Sequence, residues 1–426
     1  MVHTEHKQAQ EIQPGKKTAR QMALRTSFLP FCRPSITEEE IQAVIDTLRS
    51  GWITTGPKTK QFEDEFAAYL GVEEALALNS CTAGLHLALE VLGIGPGDQV
   101  ITTPLTFCSS ANVIEHVGAE TVLVDVEPQT MNLDPDRIPP ALTPSTRAII
   151  AVHLAGHPVN MRDLMAIARE HGLSVIEDAA HAVDARFEGR LVGTLGDLAA
   201  FSFYATKNLT TAEGGMLVGS PAHIERARIL SLHGMSHDAW KRYSAEGSWW
   251  YDVVCPGYKY NMTDIQAALG LVQLKRLPLM QQRRREIVKQ YNTAFMQIDE
   301  LETPVEQTDC VSAWHLYVLR LRLDHLQIDR SAFIDRLRIR NIGTSVHFIP
   351  IHVHPYYRQK YGWMPFSFPV AYQEFRRAIS LPLYPAMSDD DVADVIAAVK
   401  AIVEETRCPS VFSISRLVSH YHLAVP

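Results

Sequence analysis

Residues 174–215 have the sequence SVIEDAAHAVDARFEGRLVGTLGDLAAFSFYATKNLTTAEGG, which contains two short apolar runs. The first run ends at Asp178, and the second, 198–203, is followed by Lys207 among small and polar residues. Short apolar runs bounded by turn residues predict buried strands. Ligands bind where the parallel strands of an open sheet end. The stretch therefore predicts a ligand site that contains both Asp178 and Lys207.

Similar apolar runs on both sides of this stretch alternate with helical patterns. Strands are predicted at 75–79, 99–102, 121–124, 147–152 and 216–218, and helices at 82–92, 107–117 and 161–170. Strands that alternate with helices indicate an α/β fold with a mainly parallel sheet covered on both faces. We assign residues 28–262 to one large domain on this basis.

The pattern changes after Asn261, where long helices are predicted at 263–277 and 280–298 with a break at Pro278. The remaining predicted elements are strands at 313–321 and 344–348 and helices at 331–340 and 389–405. This mixture predicts a smaller α+β C-terminal domain over residues 263–408. Residues 1–27 are predicted to be a flexible N-terminal extension, and residues 409–426 a tail.

The composition argues against several classes of function. The chain has 40 basic and 48 acidic residues and a formal net charge of -8, which disfavours nucleic-acid binding. No apolar run approaches the roughly 18 residues of a membrane span, so no membrane association is expected. The six cysteines form no CxxC pair, which predicts neither a zinc site nor a disulfide framework and is typical of a cytoplasmic protein.

The pairing of Asp178 with Lys207 indicates the chemistry of pyridoxal 5′-phosphate (PLP). A lysine that attacks a carbonyl needs a depressed pKa, which a partly desolvated site beside another positive centre provides. The pyridine nitrogen of PLP needs a carboxylate that keeps the ring protonated and electron-withdrawing. We therefore predict that Lys207 holds PLP covalently and that Asp178 contacts the ring nitrogen. Taken alone, either residue has an ordinary alternative, a surface lysine or a helix-capping aspartate.

Other residues are candidates for the remaining cofactor contacts. Small residues open a predicted helix in NSCTAGLHLAL (79–89), so Thr82 and Ala83 are predicted to bind the phosphate at the helix start, with Ser202 nearby. Phe107 is a candidate to stack on the ring, and His181 either orients the aspartate or contacts the ring oxygen. The structural alternatives are a helix N-cap for Thr82, core packing for Phe107 and helix packing for His181.

At these residues the sequence resembles the DegT/DnrJ/EryC1/StrS family of PLP-dependent sugar aminotransferases, which have fold type I. The resemblance extends from about Phe28 to Val403 and rests on NSCTAGLHLAL, GDQVITTPLTF, VIEDAAHAVDARFEGRLVGTLGD, FSFYATKNLTTAEGGM, PGYKYNMTDIQAALG and WHLYVLRL. Within the family, the chain most resembles the UDP-4-amino-4-deoxy-L-arabinose–oxoglutarate aminotransferase type, with which it shares PGYKYN, AWHL and GTSVHF.

The resemblance implies the same cofactor contacts and adds three residues. Asn261 matches an asparagine that reaches the cofactor phosphate of the neighbouring subunit, which implies a homodimer with composite active sites. His347 matches a histidine on the substrate side. Tyr204 occupies a position where close relatives often have histidine, and it is therefore also expected near the substrate.

The resemblance also implies a reaction in two halves. Glutamate gives its amino group to the cofactor and leaves as 2-oxoglutarate, and a nucleotide-linked keto-sugar then receives the amino group. The sequence TTAEGG after Lys207 resembles enzymes that aminate C4 of the sugar. Amination at C3, where GDGG or GDAG is more frequent, or of a GDP- or dTDP-linked sugar, is the alternative.

Two rival functions differ from this one at identifiable residues. A dehydratase of the same family would have histidine in place of Lys207. A non-catalytic PLP-binding regulatory protein would not need Lys207, Asp178 and His181 together, and a half-reaction with glutamate would distinguish it.

Two other patterns are weaker indications of a cofactor. The glycines of GIGPGD (93–98) resemble a dinucleotide loop, but they follow a helix and precede a strand, the reverse of what that motif requires. The histidines of HLAGH (153–157) and HFIPIHVH (347–354) lie in proline-containing loops without carboxylates or cysteines at ligand spacing. No metal site is therefore predicted.

Overall fold

The computed structural model describes residues 25–235 and 250–409. The strands are β1 Glu74–Leu78, β2 Gln99–Thr102, β3 Glu120–Leu123, β4 Thr146–Val152, β5 Ser174–Asp178, β6 Arg186–Phe187, β7 Arg190–Leu191, β8 Leu198–Ser202, β9 Gly215–Gly219, β10 Leu301–Glu302, β11 Cys310–Val311, β12 Tyr317–Leu321 and β13 Ala378–Leu381. The α-helices are α1 Glu38–Ser50, α2 Pro57–Leu70, α3 Cys81–Val91, α4 Ser109–His116, α5 Met161–His171, α6 Pro221–Ser231, α7 Asp264–Phe295, α8 Arg330–Ile339, α9 Pro355–Tyr361, α10 Pro369–Arg377 and α11 Asp389–Thr406.

A seven-stranded sheet lies at the centre of the large domain, with the strand order β1-β9-β8-β5-β4-β2-β3. The strands from β8 to β3 pair in parallel, whereas β9 is antiparallel to both of its neighbours. Because β9 runs against both β1 and β8, β1 has the same direction as the parallel strands. The predicted α/β class with a mainly parallel mixed sheet is confirmed. The carboxyl ends of β1, β4, β5 and β8 consequently lie at one edge.

The strands of this sheet are mainly apolar because helices cover both faces. In β4, Ile150 belongs to the apolar cluster that contains Leu85 and Leu89 of α3. The preceding residue, Ile149, belongs to the cluster that contains Leu164 of α5. Successive side chains of a strand point to opposite faces, so a strand that is buried on both sides cannot alternate with polar residues.

A second, three-stranded sheet follows later in the chain, with the order β10-β12-β13 and antiparallel pairing. Leu319 of β12 and Ile379 of β13 share an apolar cluster with Phe333 of α8 and Val399 of α11. This part has the α+β character predicted for the C-terminal domain. The domain boundary at 262/263 stays a prediction.

The helix α7 corrects the prediction of two helices separated at Pro278. It is one helix from Asp264 to Phe295 that contains this proline. Proline removes one helical hydrogen bond and crowds the preceding turn. Burial on both sides of the proline opposes this cost, since Leu277 packs in the cluster of the large sheet and Tyr291 in that of the small sheet.

The predicted strand at 344–348 is wrong. Only Ser345 forms a bridge, with Ser380 of β13. The side chains of His347 and Phe348 instead line a cavity, which is described below. The segment leaves the sheet after this single pairing.

The predicted strand at 313–321 begins later than expected, at Tyr317. Trp314 has a positive φ of 46°, which interrupts an extended chain. The amides of Ala313 and His315 donate hydrogen bonds to the carbonyls of Gly156 and Ala155, both at 2.9 Å. The segment before β12 is therefore fixed against the loop that follows β4, and it brings His315 to the edge of the large sheet.

Most of the two predicted terminal segments falls outside the described residues, which leave out residues 1–24 and 410–426. Arg25 forms ion pairs with Asp391 and Asp394 of α11 at 2.8 and 2.7 Å. All six cysteines are free thiols. In the part of the chain that the structure describes, no helix combines the length and the apolar character needed to cross a bilayer.

The buried carboxylate of Asp264 joins the start of α7 to the start of α2. It accepts hydrogen bonds from the amides of Gly56, Lys58 and Thr59 at 2.8, 3.0 and 2.9 Å, and from the Thr59 hydroxyl at 2.7 Å. Amides in the first turn of a helix have no partner within the helix. Asp264 therefore caps α2 from a distant part of the chain.

We expect Asp264→Ala to lower the free energy of unfolding by about 3 kcal/mol, because several buried donors lose their acceptor. Urea unfolding measures this change. Asp264→Asn retains one acceptor oxygen and should lose less. The exposed Asp64, which pairs with Lys60 on the surface of α2, is the control, and Asp64→Ala should cost about 0.5 kcal/mol or less. Equal losses for Asp264→Ala and Asp64→Ala would contradict the capping role.

Candidate active site

A cavity of about 600 Å³ opens at the sheet edge where β1, β4, β5 and β8 end. Eight of the ten site residues predicted from the sequence line it: Thr82, Phe107, Asp178, His181, Ser202, Tyr204, Lys207 and His347. The cavity therefore brings together residues from the ends of β5 and β8, from the starts of α3 and α4, and from the segment that follows α8. Ala83 and Asn261 lie outside its lining.

Lys207 lies in the turn that follows β8, and its amide donates to the carbonyl of Tyr204 at 2.9 Å. Within the described residues, the Lys207 ammonium has no hydrogen-bond acceptor. Burial lowers the pKa of Lys207 to about 8, although Cys81, Asp178 and Cys32 act in the opposite direction. Near neutral pH a useful fraction of the amine is therefore unprotonated, which nucleophilic attack on a carbonyl requires.

Asp178 is the last residue of β5 and is buried. Its carboxylate accepts hydrogen bonds from the Ser110 hydroxyl at 2.7 Å and from the Ala180 amide at 3.2 Å. Burial raises the pKa of Asp178, and these two donors and the charge of Lys207 lower it. The Cys81 thiol is a third and longer donor at 4.0 Å, and the carboxylate remains available to a cationic partner in the cavity.

The start of α3 forms the part of the cavity beside Ser202. Ser80, rather than Thr82, is the N-cap of α3, and its hydroxyl accepts from the Ala83 amide at 3.1 Å. Thr82 is consequently free to face the cavity, whereas Ala83 is buried behind it. The neighbouring strand β9 approaches very closely, because a Cβ added at Gly215 would lie 2.4 Å from the carbonyl carbon of Ser80.

Aromatic and imidazole rings line the remaining wall. The Phe107 ring is 56% exposed and lies 5.8 Å from the ring of Phe348. This exposure contradicts core packing for Phe107 and suits a stacking role. His181 is buried, and its Nδ1 accepts from the Ala155 amide at 3.2 Å. His347 is bound to the Ser380 hydroxyl at 2.8 Å, and burial together with Lys207 lowers its pKa to about 4.

Asn261 lies at the same sheet edge as the cavity but does not line it. It forms a bridge with Leu78 at the end of β1, and its amide donates to the Thr55 hydroxyl at 2.6 Å. Its side-chain oxygen accepts from Lys259. A contact between Asn261 and the cofactor of a neighbouring subunit remains a proposal.

Several residues of the cavity were not predicted from the sequence. Ser110 and Phe348 were given no role, and His315 appeared only within a quoted motif, yet Phe348 and His315 line the cavity and Ser110 binds Asp178. A signal for His315 exists, since it is a histidine inside the otherwise apolar run AWHLYVL. Glu213, a further lining residue, belongs to the TTAEGG motif.

The histidines that could suggest a metal have other partners. His153 donates to Glu177 at 3.1 Å and accepts from the Val159 amide at 3.1 Å. His352 bonds to the carbonyl of Pro365 at 2.9 Å. In residues 25–235 and 250–409, histidines, cysteines and carboxylates form no group of three that could hold a metal ion.

The residues that line the cavity fit PLP. Its pyridinium nitrogen needs a buried carboxylate, its aldehyde needs a lysine of depressed pKa, and its phosphate needs donors at a helix start. Asp178, Lys207 and the Ser80–Thr82 region with Ser202 provide these groups within one cavity. The mixed sheet and this site define a PLP-dependent enzyme of fold type I.

Comparison with known proteins specifies the class further. The DegT/DnrJ/EryC1/StrS aminotransferase family model matches residues 34–400. SpsC of Bacillus subtilis, a spore coat polysaccharide biosynthesis protein, is 54% identical over 382 residues, which are 89% of this chain and 98% of SpsC. The chain belongs to the DegT/DnrJ/EryC1/StrS aminotransferase family.

Solved structures agree in fold and cofactor. Spr1654 of Streptococcus pneumoniae in its PLP form superposes with a TM-score of 0.83 at 37% identity, over 89% of this chain and 99% of that one. Spr1654 has also been solved in a PMP form. The sugar aminotransferase CalS13 of Micromonospora echinospora superposes with a TM-score of 0.79 at 30% identity, over 87% of this chain and 99% of CalS13. The protein is an aminotransferase with PLP as its cofactor.

We expect the rate at which the apoprotein captures PLP to rise with pH and to level off above about 8, because the attacking Lys207 amine must first lose its proton. Stopped-flow absorbance measures this rate. Borohydride treatment of the loaded protein should attach the cofactor to Lys207, as peptide mass spectrometry can verify. Lys207→Arg retains the positive charge but should not be labelled. Labelling at a different lysine would refute the assignment.

We expect Ser110→Ala to weaken PLP binding about tenfold, since a hydrogen bond to a charged group contributes roughly 1.5–3 kcal/mol. Loss of this donor raises the pKa of Asp178, so the affinity should begin to fall at a higher pH as the solution is acidified. Equilibrium titration of the apoprotein with PLP at several pH values measures both effects. Ser109→Ala, which changes the neighbouring serine, should leave the pH dependence unchanged.

Proposed function

We propose that this protein transfers the amino group of glutamate to a nucleotide-linked keto-sugar, at C4 of a UDP-linked 4-keto pentose or hexose. The observation that carries the proposal is the convergence of Lys207 and Asp178 on one cavity, whose lining also includes the exposed polar side chains of Tyr204 and Glu213. The substrate type follows from the resemblance to the UDP-4-amino-4-deoxy-L-arabinose–oxoglutarate aminotransferase type.

The names of two relatives support a sugar substrate. SpsC is a protein of spore coat polysaccharide biosynthesis, and CalS13 is a sugar aminotransferase. Amino sugars are components of many polysaccharides. An aminotransferase that resembles both proteins over most of its length is therefore expected to act on an activated sugar.

The polar side chains at the mouth of the cavity suit a hydroxylated substrate. Tyr204 is 47% exposed and Glu213 is also exposed, and both line the cavity with His347. The three groups can accept or donate hydrogen bonds to sugar hydroxyls. Glu213 belongs to TTAEGG, the motif on which C4 amination is inferred.

The side chains of this protein have separable tasks in the reaction. When bound, PLP supplies an electron sink for the negative charge that develops at the substrate carbon. Lys207, once its amine is free, removes a proton from the α-carbon of glutamate. In the second half of the reaction it delivers a proton to the sugar carbon that receives the amino group. Asp178 keeps a negative charge at the inner end of the cavity. His181, neutral and buried, offers an N–H to an anionic oxygen.

The proposed quaternary arrangement is a homodimer in which Asn261 contributes to the site of the neighbouring subunit. Asn261 pairs with Leu78 at the end of β1. The end of β1 leads directly into α3, whose start we assign to the phosphate. A residue so placed, yet outside the cavity of its own chain, is suited to a contact across an interface.

The rival functions are disfavoured by the same residues. A family dehydratase would have histidine at position 207, where this chain has lysine. A non-catalytic PLP-binding regulator would need neither a lysine of depressed pKa nor its convergence with Asp178 on the cavity. Amination at C3, or of a GDP- or dTDP-linked sugar, remains the alternative within the aminotransferases. Enzymes that aminate C3 more often have GDGG or GDAG where this chain has TTAEGG.

The test is a donor–acceptor screen with purified protein, PLP and glutamate. UDP-, GDP- and dTDP-linked 4-keto and 3-keto sugars are offered separately, and release of 2-oxoglutarate is measured together with the aminated product. We expect turnover to be fastest with a UDP-linked 4-keto sugar and to be at least about a thousandfold slower in Lys207→Ala, which lacks the general base.

The outcomes of the screen distinguish an incorrect substrate from an incorrect activity. Turnover only with 3-keto sugars, or only with GDP- or dTDP-linked sugars, would refute the substrate assignment and retain the activity. A protein that binds PLP but never forms 2-oxoglutarate from glutamate would be the regulatory protein instead.

A further inference from the structure

His315 is a second buried histidine of the cavity and has no assigned role in the reaction. It lies directly before β12, and its ring is centred 4.3 Å from that of His181 with an interplanar angle of 38°. Both rings are buried and both line the cavity. The two imidazoles therefore form a closely packed, tilted pair on one wall of the PLP site.

The hydrogen bonds of Asn208 determine which nitrogen of His315 carries the proton. The Asn208 amide group donates to Gln281 Oε1 at 3.0 Å and to the Ala313 carbonyl at 2.7 Å. The Ala313 carbonyl can only accept, so the Asn208 nitrogen must face it and the Asn208 oxygen must face His315 Nδ1, 3.1 Å away. His315 Nδ1 is therefore the donor.

His181 has the opposite tautomer. Its Nδ1 accepts from the Ala155 amide, so the proton of the neutral ring is on Nε2. Burial, the charge of Lys207 and the other histidines of the site lower the pKa of both His181 and His315 well below its ordinary value. Arg284 has the same effect on His315. Both rings are consequently neutral at physiological pH.

The pair thus presents unlike groups to the cavity. Nε2 of His181 is a donor, and Nε2 of His315 is an acceptor that has no hydrogen-bond partner among the described residues. Asp178, by comparison, is already bound to Ser110 and Ala180. Nε2 of His315 is therefore a neutral acceptor in the same cavity as Lys207. In a transamination, the group best suited to donate a hydrogen bond to it is the amino group that is transferred.

We infer that His315 is a positioning residue, held by Asn208 as the Nδ1–H tautomer, whose Nε2 accepts a hydrogen bond from the amino group of the entering donor. The inference rests on the proposed function, because it takes glutamate as the donor. Asn208 follows Lys207 in the chain, so the same turn fixes the lysine and orients His315. The amine is thereby aligned beside the residue that exchanges protons with it.

The tautomer is tested first, by long-range ¹H–¹⁵N correlation spectra of protein labelled with ¹⁵N-histidine. The signal that disappears in His315→Asn identifies His315. We expect that signal to show a protonated Nδ1 and an unprotonated Nε2. A proton on Nε2, in either the neutral or the charged ring, overturns the inference without reference to any substrate.

The contact with the amine is tested by comparing two ligands of the PLP-loaded protein. 2-Methylglutamate carries the amino group but has no α-hydrogen to transfer, and glutarate has the two carboxylates without the amine. An asparagine at 315 retains a donor near Nδ1 but cannot reach the place of Nε2. We expect His315→Asn to weaken binding of 2-methylglutamate about tenfold, the effect of one hydrogen bond to a charged group, and of glutarate less than about twofold.

Equal losses for the two ligands would show a structural role and would overturn the inference. His352→Asn is the matched control, since His352 is equally buried but lies outside the cavity, and it should change neither affinity. Failure of the proposed function has a different signature: the wild-type protein would then form no 2-oxoglutarate from glutamate, whatever the tautomer of His315.

Discussion

The burial of two opposite charges within one cavity is the constraint on which the site depends. An unpaired charge in a protein interior is costly, and the cost is offset only by hydrogen bonds and an opposite charge nearby. Asp178 has donors from α4, from the loop after β5 and from the Cys81 thiol. Among the described residues the Lys207 ammonium has no hydrogen-bond acceptor, and burial lowers its pKa to about 8. Burial raises the pKa of Asp178 and its hydrogen-bond donors oppose that rise, whereas the lysine is kept ready to lose its proton.

The neighbouring residue Glu177 shows how the end of β5 accommodates a second carboxylate. Its side chain accepts from the amides of Gly193, Leu195 and Gly196 at 2.9, 2.8 and 2.8 Å and is paired with His153. These partners satisfy Glu177 completely, and its pKa is lowered despite full burial. Of two adjacent acids in one strand, one is therefore structural and the other is available to a ligand.

The sequence was most informative where function depends on the end of a single strand. Asp178 and Lys207 follow apolar runs that a sheet must bury, and their convergence follows from parallel topology. Prediction failed where tertiary contacts override a local pattern, as at Pro278, which packing on both sides retains within α7. His315 reaches the cavity from the segment before β12, and Phe348 from a segment that pairs with β13 only at Ser345. No periodicity in the sequence indicates where the pairing of a strand begins or stops.

The close approach of β9 to the start of α3 has a consequence for binding. There is no room for even a methyl group at Gly215, so main chain packs against main chain beside the cavity-lining residues Ser80 and Cys81. Main chain fixed within a helix and a strand has no rotamers to lose, so a ligand that settles there immobilises little that was free beforehand. Rigidity of this kind favours slow release of a cofactor that must stay in place through many turnovers.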